Sequence, residues 1–82
     1  MNIIYTPEAF KNLKKIGAKD LPKIKRKINT LHNNPLAGKL LQGKFEGLRC
    51  LRAWPLRIIY TFNEKLNLVI IETVDYRGDV YK

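Results

Sequence analysis

The apolar residues of this chain change period partway along it, and that change restricts the possible folds more than any other feature. Leu21, Ile24, Ile28 and Leu31 recur at the spacing of one helix face, whereas from Leu48 onward apolar and polar residues alternate or run together as in strands. A helical part followed by consecutive strands is the α+β pattern, in which helices collect on one face of a largely antiparallel sheet. The 82 residues leave room for one domain, spanning 1–82, because two would each have too little apolar surface to bury.

Local signals mark the elements. Asn2 to Tyr5 (NIIY) is β-prone, and Thr6-Pro7-Glu8 reads as a helix start, with Thr6 as N-cap, Pro7 in the first turn and Glu8 at the positive end of the dipole. Phe10, Leu13 and Ile16 are expected on the packing face, and Gly17 suits a stop. Asp20 is expected to cap a second helix that ends at Asn33-Asn34-Pro35. The stretch from Pro35 to Gly47 reads as an ordered connector anchored by Leu36, Leu40, Leu41 and Phe45. Three strand-like runs follow: Leu48 to Ala53, Leu56 to Phe62 and Leu66 to Val74, with turns at Trp54-Pro55 and Asn63-Glu64-Lys65. The expected architecture is an N-terminal strand and a two-helix hairpin packed on one face of a four-stranded sheet.

Charge narrows the partners. Sixteen Lys and Arg against seven Asp and Glu give a formal +9, a field that attracts polyanions. Nucleic acid is the first expectation, and Lys23, Arg26 and Lys27 on the second helix are candidate phosphate contacts, as well placed for that as for a merely solvated face. No apolar run reaches the length of a membrane span and the N-terminus has no signal-peptide apolar core, so a cytoplasmic location without membrane contact is expected. A single Cys50 and a single His32 offer no zinc spacing, so neither metal nor cofactor is expected, and Cys50 reads as a buried, inert thiol.

Strand alternation puts Leu48, Cys50 and Arg52 on one side and Arg49, Leu51 and Ala53 on the other; in the next strand Arg57 lies opposite in facing to Leu56, Ile58 and Tyr60. Arg57 therefore needs either an acidic partner, such as Glu72 on the neighbouring strand, or an anionic substrate. Arg49, Arg52, Arg57 and Arg77 mark a shift from lysine to arginine, the better bidentate phosphate ligand. Tyr81 near the C-terminus is fit to stack on a base, to exchange a proton with a ribose hydroxyl, or simply to pack on the sheet edge.

These residues also carry a resemblance. Leu41-Gln42-Gly43, then Gly47-Leu48-Arg49-Cys50-Leu51-Arg52 and Pro55-Leu56-Arg57-Ile58-Ile59-Tyr60, followed by Tyr76-Arg77-Gly78-Asp79-Val80-Tyr81, are similar in order and spacing to the pattern of the RelE/ParE toxin superfamily. The resemblance implies a toxin of a type II toxin-antitoxin module, in the branch of ribosome-associated endonucleases that cut mRNA by metal-independent attack of a ribose 2′-hydroxyl on the adjacent phosphate. Carried over, Arg57 and Arg77 stabilise charge on the phosphate, Arg52 helps hold it, Tyr81 transfers a proton or stacks on a base, and Lys44 and Arg49 contact RNA. An acidic antitoxin, the ribosome and mRNA are the implied partners. Tyr76 stands where the family often has His, and Cys50 where it has a basic residue. Two other readings therefore stay open: a gyrase-inhibiting toxin of ParE type without nuclease activity, and a catalytically weakened RNA-binding relative.

Overall fold

Thr6 starts the first helix. In the computed structural model, which describes residues 1–41 and 47–76, its hydroxyl accepts the Ala9 N–H at 3.0 Å and donates to the Glu72 carbonyl at 2.7 Å. The same side chain thus caps helix α1 (Pro7–Lys15) and ties it to the last strand, directly after strand β1 (Asn2–Tyr5). The packing face differs from expectation. Ala9, Leu13 and Ile16 face the core, and Phe10 is 55% exposed with the Lys14 ammonium 4.7 Å from its ring centre. Placing Ala9 against the sheet turns its neighbour outward, because successive residues on a helix diverge by about 100°.

Helix α2 spans Leu21–Thr30 and buries Ile24 and Ile28, with Leu31 just beyond its end. Asp20 does not cap it as expected. Its own backbone is already helical (φ −95°, ψ −20°), which removes the extended geometry a capping side chain needs, and its carboxylate lies 3.9 Å from Lys23 Nζ instead. Gly17 serves the turn between the helices, its carbonyl accepting the N–H groups of Asp20 and Leu21.

Among the described residues the sheet has five strands in the order β1-β5-β4-β3-β2, one more than the sequence indicates. The additional strand, β2 (Lys39–Leu40), lies in the connector and pairs antiparallel with β3 (Arg49–Ala53). Two residues are too few to show a period. Strands β4 (Leu56–Asn63) and β5 (Leu68–Tyr76) form the long hairpin; Leu66 belongs to its turn, where the Asn63 side chain accepts the Leu66 N–H and Asn67 adopts a left-handed φ of 50°. β1 pairs parallel with β5, so the sheet is mixed at that edge.

Both helices cover one face. Ala9, Ile16, Ile24, Ile28 and Leu31 pack on Ala53, Leu56, Ile58, Tyr60, Val69, Ile71 and Val74. Val74 and Ile71 have opposite parity along β5, and both reach this core because pairing shifts between Ile59↔Thr73 and Tyr60↔Ile71, leaving Glu72 as the extra residue of a bulge. Asn12 of α1 secures the bulge, its Oδ1 accepting from Thr73 Oγ1 at 2.9 Å and Val74 N at 3.0 Å.

Candidate nucleic-acid interface

Alternation along β3 and β4 separates the core from a second, cationic face. Ala53, Leu56, Ile58 and Tyr60 point into the helix layer, so Cys50, Arg52 and Arg57 stand on the other side. The register then sets their spacing. Arg52 is directly opposite Arg57, and Arg57 is directly opposite Asp75, so two guanidinium groups and one carboxylate form a row across β3, β4 and β5. In the adjacent row Cys50 is opposite Lys39 on one side and Ile59 on the other.

Lys39, Leu41, Cys50, Arg52 and Arg57 line a cleft of about 280 Å³. Cys50 in this lining is buried while Lys39, Arg52 and Arg57 are not, so the cleft presents positive charge. A smaller recess of about 50 Å³ adjoins it, lined by Arg52, Trp54, Leu56 and Arg57. Like charges facing each other across a ladder are destabilising. An anion bound between Arg52 and Arg57 would relieve that repulsion, and a phosphate accepts from two guanidinium forks at once.

The connector that carries Lys39 is held from inside the core. The buried Tyr60 hydroxyl accepts the Gly38 N–H and donates to the Pro35 carbonyl, both at 2.8 Å, and Arg49 donates to the Gly38 carbonyl at 3.0 Å. Burial pushes the Tyr60 hydroxyl above the ordinary tyrosine range, opposed in part by the Gly38 hydrogen bond and the Arg49 charge.

The candidate residues divide accordingly. Arg52 and Arg57 are brought together, and Lys39, which sequence reasoning passed over as connector, joins them. Arg49 lies on the helix-side face and is engaged with Gly38. Lys23 donates to the Trp54 carbonyl at 2.7 Å, while Arg26 and Lys27 are exposed on α2, in the layer on the far side of the sheet from Arg52 and Arg57. The acidic residue in register with Arg57 is Asp75 and not Glu72, whose carboxylate accepts from Thr61 Oγ1 at 3.4 Å beside the bulge. Lys44, Arg77 and Tyr81 lie outside the described residues. Trp54 was legible in the sequence only as a turn residue; a large aromatic between two arginine-bearing strands was the available signal.

Comparison with known proteins agrees with this architecture. The sequence profile of the ParE toxin of type II toxin-antitoxin systems, parDE, matches residues 3–81. A search of curated protein sequences returns no match. Among solved structures, the chain is similar to one in the RelBE2 toxin-antitoxin complex of Mycobacterium tuberculosis, with a TM-score of 0.85 and 26% identity over 93% of this chain and 96% of that one. It is similar in fold to YafQ of E. coli (TM-score 0.82, 22% identity, 98% and 97% covered). A chain of the YoeB–YefM complex of Staphylococcus aureus shares the fold as well (TM-score 0.76, 24% identity, 94% and 97% covered).

Proposed function

The chain belongs to the ParE toxin family of type II toxin-antitoxin systems, and on that premise we propose that it is a ribosome-associated endonuclease that cuts mRNA without a metal. The observation that carries this reading is the Arg52–Arg57 pair, two guanidinium groups in register at the edge of a cleft on the face not covered by helices.

In this reading the two arginines hold the scissile phosphate. The ribose 2′-oxygen loses its proton and bonds to phosphorus as the bond to the 5′-oxygen breaks, and the departing 5′-oxygen takes up a proton. Products are a 2′,3′-cyclic phosphate and a 5′-hydroxyl. Negative charge on the phosphoryl oxygens rises in the transition state, so guanidinium hydrogen bonds that tighten at that moment lower the barrier. Arg57 supplies this stabilisation with Arg77, Arg52 positions the phosphate, and Tyr81 serves in proton transfer. Lys44 contacts the RNA backbone, and Arg26 and Lys27 on the opposite layer grip ribosomal RNA.

The cognate partner is an acidic antitoxin, in keeping with the +9 charge and with the toxin-antitoxin complex in which the similar M. tuberculosis chain is found. Primer extension on cellular mRNA after induction tests the activity: cleavage by the wild type and intact message with Arg57→Gln are expected. The matching profile is that of ParE, which favours inhibition of DNA gyrase as a second reading. Gyrase-dependent DNA breaks with uncut mRNA would establish that one instead.

A further inference from the structure

The position of Trp54 suggests a role that the phosphate site does not absorb. It is the sole tryptophan of the chain, it occupies the turn between β3 and β4, and it is 66% exposed, so its indole contributes little to the core. It is nonetheless placed. Trp54 lines the recess shared by Arg52 and Arg57, and the Lys23 ammonium from α2 holds its carbonyl at 2.7 Å.

An RNA phosphate bound between Arg52 and Arg57 has its own sugar and base one linkage away, and an unstacked base at that point loses the stacking energy of its neighbours. An indole face beside the phosphate-binding groups restores it. We propose that Trp54 is the platform on which a base next to the bound phosphate stacks, so that the site takes single-stranded RNA with an unpaired base in preference to bare polyphosphate or duplex. The proposal rests on the RNA reading of the Arg52–Arg57 site. Stacking is tolerant of base identity, because every base presents a π face, so Trp54 contributes affinity and placement without sequence preference.

The full chain carries its own reporter, since all indole fluorescence comes from Trp54. The experiment titrates it with a 5′-labelled single-stranded RNA and with an abasic RNA of equal length, following label anisotropy and tryptophan emission together. Expected results are quenching by RNA and none by the abasic strand. Trp54→Ala should weaken RNA binding about 5- to 150-fold, the range associated with one base on an aromatic, while abasic affinity stays unchanged. Trp54→Phe, which keeps an aromatic face, should retain most of the binding, and circular dichroism of both variants should match the wild type. Arg57→Gln should weaken both strands. RNA that binds by anisotropy without quenching, with Trp54→Ala at wild-type affinity, would overturn the stacking role and leave the phosphate site standing. Loss of antitoxin affinity in Trp54→Ala with RNA binding intact would reassign the indole to the protein partner. Absence of RNA binding by the wild-type chain would overturn the RNA reading itself.

Discussion

Arg52 and Arg57 face each other directly across the β3–β4 ladder, and Arg57 in turn faces Asp75 on β5. Two like charges at cross-strand spacing oppose strand pairing, by up to about 1 kcal/mol. Arg52→Gln is therefore expected to leave the urea midpoint unchanged or slightly raised, while Arg57→Gln lowers the mRNA cleavage rate about 100-fold or more, the usual effect of removing one donor to a developing anion. Equilibrium unfolding beside single-turnover cleavage on programmed ribosomes checks both halves.

Removing the Tyr60 hydroxyl should destabilise the connector from within. Tyr60→Phe leaves the buried Gly38 N–H without its acceptor, at a cost of about 1–3 kcal/mol. The pH dependence has a definite sign. Because burial raises the Tyr60 pKa above its ordinary value of 10.0, the unfolded chain loses this proton first, and stability present below pH 10.0 declines as pH rises from there through the folded-state pKa. Tyr5 is also raised by burial and acts in the same direction, so the relevant quantity is the difference between wild type and Tyr60→Phe. Denaturant titrations from pH 8 to 11 should show the gap between the two narrowing toward the alkaline end.

Gly38 is expected to tolerate no side chain. A Cβ there would sit 2.7 Å from Tyr60 Cε1 and 2.8 Å from its hydroxyl, with the Cys50 carbonyl at 3.0 Å. Gly38→Ala must displace either the buried ring or the β2–β3 pairing, and overpacking of this kind costs about 1–3 kcal/mol. At about 4–8 °C per kcal/mol for a chain of this size, thermal melting resolves it readily. Lys39 follows in sequence, so RNA affinity should fall with stability in this variant, unlike Arg52→Gln.

The basic surface of α2 should act on association and leave the chemistry alone. Arg26→Glu with Lys27→Glu is expected to weaken ribosome binding and to lower the salt dependence by roughly 1 in log–log slope per cation removed. Both residues are exposed in the layer away from the Arg52–Arg57 cleft, so cleavage at saturating ribosome should be retained. Sedimentation with ribosomes at several salt concentrations measures the slope. An unchanged slope would count against these two cations as contacts.

Much of the fold was legible because its signals are local. Thr6-Pro7-Glu8 marks a helix start wherever it occurs, since the cap involves residues three apart, and the failure of Asp20 to cap shows the limit of the same rule: its backbone had already turned helical. Phe10 was misplaced for a related reason. Its hydrophobicity suggested burial, but the close approach of α1 to β5 selects Ala9, and that choice depends on a strand some sixty residues later, as the Asn12 bonds to Thr73 and Val74 make plain. Two-residue β2 had no period to read.

The candidate site divides along the same line. Residue parity within β3 was sufficient to put Arg52 and Arg49 on opposite faces, and parity within β4 to set Arg57 apart from Leu56, Ile58 and Tyr60, because alternation is a property of each strand by itself; which face is the core came only with the helices. Only the tertiary structure decided that Arg52 stands across from Arg57, that Asp75 and not Glu72 is in register with Arg57, and that Lys39 borders one, and Trp54 the other, of two recesses that both arginines line. Register, bulge position and helix packing are set by contacts between segments far apart in the chain, where a shift of one residue exchanges the faces of a strand. Local pattern determines which residues can meet a ligand; the assembled sheet determines which of them meet it together.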